Sequence, residues 1–169
     1  MPAERKLVKR SDKVAFFGNL GTGTETFNRM RGFTTLSGSK NPMEYSRQYV
    51  DEEFETTDVT GYSPSYEFGF DQYAGDLVHE EMVEILDGEK TGTEARRNIV
   101  IVDFSQAGAS EGSYKAVKRE YAIIGDAEGD SMDAYTYSGT LRATGKRITG
   151  TATLNTDNSV ATFTADTSL

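Results

Sequence analysis

Residues Ala134–Leu154 read AYTYSGTLRATGKRITGTATL. Tyr135, Tyr137, Gly139, Leu141 and Ala143 alternate with Thr136, Ser138, Thr140 and Arg142. Beyond TGKR the same pattern resumes, with Ile148, Gly150, Ala152 and Leu154 set against Thr149, Thr151 and Thr153. Period two is the strand period, because successive side chains leave opposite faces of a pleated chain. The β-branched threonines suit a pleated, solvent-facing surface. The stretch therefore predicts a long antiparallel hairpin that turns at Thr144–Arg147, with one buried face and one threonine-rich exposed face. NTDNS (155–159) then predicts a turn into a last short strand, VATFTA (160–165).

Strand signals continue upstream. Tyr66, Phe68 and Phe70 alternate with Glu67 and Gly69, an earlier strand lies near RGFTTLSGS (31–39), and NIVIVDF (98–104) is a continuous apolar run of the kind buried on both faces. One segment breaks the pattern. In GDLVHEEMVEILDG (75–88) the residues Val78, Met82, Ile85 and Leu86 fall at i, i+4, i+7 and i+8, which predicts a helix over 76–87 packed through that stripe. Asp76 is placed to cap its start, glutamates occupy its first turns, and Gly88 closes its end. His79, the sole histidine, falls at a half-polar helix position and is expected to be partly exposed.

Between the strands near 31–39 and 65–70 lies KNPMEYSRQYVDEEFETTDVTGYS (40–63). Connections longer than about 12–15 residues are uncommon inside a compact domain unless they serve a function or are disordered. A mere linker would lack Met43, Tyr45, Tyr49 and Phe54. The segment is expected to be an extended arm that orders against a neighbour; a longer strand pair is the alternative. The whole is expected to be one domain over 1–169, mainly β, an antiparallel β-sandwich or barrel with one flanking α-helix and a long inter-strand arm. Residues 1–12 are expected to be a flexible basic segment.

The net charge of −9 is unevenly spread: Glu44–Glu94 holds fifteen acids and two bases. A chain with an acidic and a basic region can stack one region on the other, and the acidic total argues against a nucleic-acid binder with a basic stripe. With no cysteine, there is no thiolate nucleophile, disulfide or cysteine-ligated metal. The basic start lacks the apolar run of a signal peptide, and no stretch approaches the ~20 apolar residues of a membrane span. The glycines Gly18, Gly21 and Gly23 follow G-x-x-G-x-G, which is not the dinucleotide fingerprint, and no helical stripe or P-loop lysine follows them. They are read as a turn or hinge. Asp126, Glu128, Asp130 and Asp133 miss the glycine and glutamate of a calcium loop and are read as a solvated hairpin loop. No triad elbow is present, and nothing nominates a carboxylate pair. The expectation is a protein without catalytic, cofactor-binding or metal-binding residues.

Three stretches carry a resemblance: RGFTTLSGSKNPMEYSRQYVDE (31–52), YEFGFDQYAGDLVHEEMVEILDG (66–88) and KREYAIIGDAEGDSMDAYTYSGTLRATGKRITGTATL (118–154). In layout the chain resembles the tail tube (major tail) proteins of tailed bacteriophages, of the type found in phages of Gram-positive hosts. The resemblance implies a β-sandwich or barrel with one helix, assembled in hexameric rings that stack into a tube through which genomic DNA is delivered. It also implies that the arm makes the ring-to-ring contact. The partners would be further copies of the chain, other tail proteins at the tube ends and DNA passing without sequence-specific binding, with no membrane. The location would be the virion tail, after assembly in the host cytoplasm. A β-sandwich binding module for carbohydrate or a host surface is the second expectation.

Overall fold

The computed structural model describes residues 3–18 and 26–166. Among these the order is β1 (Lys13–Gly18), β2 (Thr26–Arg29), β3 (Phe33–Ser39), β4 (Pro42–Arg47), β5 (Thr56–Tyr62), β6 (Ser65–Asp71), α1 (Leu77–Asp87), β7 (Arg96–Ala107), β8 (Ser113–Glu128), β9 (Thr136–Ala143), β10 (Ile148–Leu154) and β11 (Val160–Ala165). Of the glycine cluster, Gly18 ends β1, while Gly21 and Gly23 lie outside the described residues.

Nine strands form one sheet in the order β10-β11-β2-β1-β7-β8-β9-β6-β3, and β10 also pairs with β8. That extra pairing closes β10, β11, β2, β1, β7 and β8 into a six-stranded antiparallel barrel, while β9, β6 and β3 continue outward from β8. The fold is thus mainly β, a barrel with added strands and, among the described residues, a single α-helix.

Strand β8 makes this possible because it is 16 residues long. Its first part, Ser113–Lys118, pairs with β10, and its second part, from Tyr121 onward, pairs with β9 on the same edge. Strands β9 and β10 therefore follow one another along β8 and do not pair with each other. The predicted hairpin over 134–154 is in fact one interrupted strand. The alternation holds at Tyr137, Gly139, Leu141, Gly150 and Ala152, which are buried, whereas Tyr135 and Ile148 of the same expected face are exposed, and TGKR is a jog and not a reversal. The backbone at its start remains tied to adjacent segments of the same chain: Thr144 N–H donates to the Glu120 carbonyl (2.9 Å), and just before it Ala143 N–H donates to that of Pro64 (3.0 Å).

Two cores share the barrel wall. Inside the barrel pack Phe16, Phe27, Val100, Val102, Ala116, Ala152, Ala161 and Phe163. Outside it, Phe17, Ile99, Tyr121 and Ile123 on the wall meet Phe68, Phe70, Tyr137 and Leu141 of the outer strands and Val78, Met82 and Ile85 of α1. The apolar run at 98–104 is two-sided for this reason: its odd positions face outward and its even positions inward. Gly150 is required by the interior, since a Cβ there would stand 2.6 Å from the Phe163 ring.

Helix α1 begins as the sequence suggests, with Asp76 Oδ1 accepting from the N–H groups of Val78 (3.0 Å) and His79 (3.1 Å). Val78, Met82 and Ile85 are buried, and Leu86 packs partly buried beside them. At its far end the Tyr137 hydroxyl donates to Asp87 Oδ1 (3.1 Å), and Glu81 pairs with Arg97 of β7 (3.7 Å). Burial pushes the Glu81 carboxyl up from its ordinary value, against the pull of the Arg97 guanidinium.

His79 departs from expectation, being fully buried. Its ring stacks on Phe70 (4.7 Å between centroids), Nδ1 accepts from Tyr73 N–H (3.0 Å), and Nε2 bonds the Arg31 carbonyl (2.6 Å). A helical stripe read from apolar residues alone omits a histidine whose two nitrogens are both satisfied by backbone.

Candidate assembly surface

The 40–63 segment folds as a two-stranded sheet of its own. Strands β4 and β5 pair antiparallel from Pro42↔Tyr62 to Arg47↔Thr56, with a bulge beside Met43 and Glu44. At its base Asn41 adopts a left-handed φ of 45°, a conformation that asparagine tolerates better than other side chains except glycine. Its side-chain amide donates to the Ser63 carbonyl and the Ser65 hydroxyl, each at 3.0 Å, and Ser63 N–H returns a bond to the Asn41 carbonyl (3.2 Å). Along the arm the Ser46 and Thr57 hydroxyls meet at 2.9 Å, and Thr60 Oγ1 donates to the Met43 carbonyl (3.1 Å) at the bulge. At the tip, Gln48 Nε2 donates to the carbonyls of Glu52 (3.3 Å) and Glu53 (3.2 Å).

No residue from Lys40 to Tyr62 is buried. Met43, Tyr45, Tyr49 and Phe54, the residues singled out from the sequence, all lie exposed on this hairpin, Phe54 at 77%. The structure adds Val50, Val59 and Tyr62, also exposed. The signal for the last two was present in the alternating TTDVTGY (56–62), which reads as a strand once its partner is known. Around the tip stand Asp51, Glu52, Glu53 and Glu55.

Beside the base of the arm, where β3 and β6 lean over the outer wall of the barrel, lies a groove of about 710 Å3. Its apolar lining includes Leu36, Tyr66, Ile101 and Tyr121, and its charged lining is Lys9, Arg10, Lys13, Lys40, Arg119 and Arg147, without one carboxylate. Arg10 is fixed by donating to the carbonyls of Lys13 (2.7 Å) and Leu36 (3.1 Å). Arg119 Nε is buried with no hydrogen-bond partner in the chain. Burial, with Tyr66 alongside, pushes the Tyr121 hydroxyl up to about 12. Lys9, Arg10 and Lys13 come from one basic stretch near the N-terminus, whereas Lys40, Arg119 and Arg147 come from three separate places in the chain, so the groove as a whole has no local sequence pattern.

Elsewhere the surface offers little chemistry. The loop holding Asp130 and Asp133 is exposed, and among the described residues no group of three or more acids and histidines is placed to hold a metal ion. No helix among them is long and apolar enough to cross a membrane.

No protein-family model matches the chain, and no curated protein matches it. Among solved structures it is similar to a chain in the cryo-EM structure of the anti-feeding prophage baseplate, 6-fold symmetrised, with 11% identity over 87% of this chain and 97% of that one, and a TM-score of 0.47. At that identity and superposition the likeness assigns no role to the chain.

Proposed function

We propose that the chain is a structural, self-assembling phage tail protein, a tube subunit that forms stacked hexameric rings and gives passage to DNA, with no catalytic role. The observation that carries this reading is the arm. A lone two-stranded hairpin is marginally stable in water, and this one exposes Met43, Tyr45, Tyr49, Val50, Phe54, Val59 and Tyr62 without adding a buried residue to either core. Such a surface suits an element that gains its burial from a neighbouring copy.

Sheet edges support the same reading. Along β8-β9-β6-β3, the outer edge of β3 has no partner strand among the described residues, and Ile123–Glu128 of β8 pairs only with β9. Beside the latter edge a cleft of about 620 Å3 opens between β8 and the end of α1, lined in part by Leu86, Ile124 and Ala127. Open edges at both ends of one sheet allow a head-to-tail contact that closes into a ring when the rotation permits, which removes the edges. An acidic subunit also keeps DNA sliding, because the duplex carries one negative charge per about 1.7 Å.

The test is to concentrate the untagged protein and look for rings and hollow tubes by negative-stain electron microscopy. Uniform tubes from the wild type, and a folded monomer without tubes when Met43–Phe54 is deleted, are the expected results. A stable monomer at high concentration that binds a discrete carbohydrate or host-surface ligand would overturn the proposal and install the binding-module reading.

A further inference from the structure

The arm tip and the groove at the arm base are complementary in charge and in apolar character. The tip carries Asp51, Glu52, Glu53 and Glu55 around exposed Tyr49, Val50 and Phe54. The groove carries six cations and no acid over a floor of Leu36, Tyr66, Ile101 and Tyr121. The ion pairs Lys90–Glu84, Arg96–Glu120 and Arg97–Glu81 involve none of those six cations. In a chain of net charge −9, a concentration of cations around one concavity marks a place where an acidic partner gains most.

We propose that this groove receives the acidic, aromatic tip of the β4–β5 hairpin of a second copy of the chain. The inference rests on the self-assembly reading and names the two surfaces that meet. A chain's own tip is out of reach while the arm keeps its ladder: six paired residues at about 3.3 Å each carry the tip ~20 Å away from the base, where the groove lies. The contact is head-to-tail, with each copy offering a tip to one neighbour and a groove to another. Apolar side chains of the tip cover the tyrosine-lined floor, and the carboxylates meet the exposed rim cations, Lys9, Lys40 and Arg147 among them. The groove volume lies within the ~300–1,000 Å3 that encloses a small group of side chains or a drug-sized ligand.

Two full-length variants test it, both altered only at exposed positions: Glu52→Lys with Glu53→Lys on the tip, and Lys40→Glu with Arg147→Glu on the groove. Self-association is measured by sedimentation velocity and by electron microscopy at low and at physiological salt, with circular dichroism as the check of folding. Each variant alone is expected to associate about tenfold or more weakly than wild type. Mixed in equal amounts they are expected to recover pairwise association, because the unaltered acidic tip of the groove variant then meets the unaltered basic groove of the tip variant. Wild-type-like association of either variant overturns the proposal, as does a folded pair whose mixture fails to recover, and in both cases wild-type tubes leave the assembly reading standing. A wild type that never associates overturns both readings. A fluorescent single-stranded oligonucleotide is the remaining probe: binding that is lost in Lys40→Glu/Arg147→Glu, with self-association intact, would assign the groove to nucleic acid and overturn the proposal.

Discussion

Phe16 and Phe17 are adjacent in β1 and fully buried in different cores, Phe16 inside the barrel and Phe17 between the barrel wall and α1. Consecutive strand residues point to opposite faces, so one of two neighbours is usually solvated. Here both are not, because the strands that build the barrel also form the floor of a second layer. Phe16→Ala and Phe17→Ala are each expected to cost about 3–5 kcal/mol. Urea unfolding of both variants checks this. A loss within ~0.5 kcal/mol at either position, the usual size for a surface site, would contradict the two-core arrangement.

His79 ties α1 to the loops that precede β3 and follow β6. Because Nδ1 accepts from Tyr73 N–H, the ring proton belongs on Nε2, donating to the Arg31 carbonyl. Nitrogen-15 spectra of the imidazole are expected to show the neutral Nε2–H tautomer. His79→Phe keeps a ring against Phe70 and Phe33 but leaves two backbone groups unpaired, at about 1–3 kcal/mol each. A change in unfolding free energy below ~1 kcal/mol would mean that the bonds contribute little.

Two tyrosines set an alkaline limit. The hydroxyls of Tyr121 and Tyr137 are pushed up to about 12, both first by burial, Tyr121 next by Tyr66 and Tyr137 next by its bond to Asp87. An unfolded tyrosine ionises near ~10, so above that pH the unfolded chain binds fewer protons than the folded one and stability falls as pH rises. The loss is expected between about pH 10 and 12, with none from these groups below pH 9. Melting temperatures across that window check it, and Tyr137→Phe is expected to flatten the slope while costing about 1 kcal/mol near neutrality through the lost Asp87 bond.

The strands of the C-terminal half were legible because alternation is local: Tyr137, Leu141 and Ala152 are buried where the period puts them. Their connection was not legible. TGKR has turn composition, and whether two strands fold onto each other or run on beside a third depends on the length of the third. That third strand, β8, hid itself by changing its buried face. Ala116 is buried toward the barrel, whereas Tyr121 and Ile123 are buried on the opposite face toward the outer core, so no single alternation spans Ser113–Glu128. The arm residues were visible as apolar side chains in an acidic stretch. The groove was not, since Lys9, Lys40, Arg119 and Arg147 are brought together only by tertiary folding.

The arm also makes a prediction about stability that is separate from assembly. Its ends meet at the Asn41 and Ser63 backbone bond, so a short Gly-Ser turn can replace Pro42–Tyr62 without moving β3 or β6. None of the replaced residues is buried, and neither core loses a contact. The melting temperature of this variant is therefore expected to stay within about 2–4 °C of wild type, the shift that ~1 kcal/mol produces in a domain of this size. In the full-length protein the arm amides are expected to exchange fast in the monomer, because both edges of a two-stranded ribbon are open to water, and to become protected on self-association. Hydrogen exchange across Pro42–Tyr62 at low and high concentration reads this directly. Strong protection in the monomer would mean that the arm is stabilised within its own chain, and the case for an element that gains its burial from a neighbour would fail.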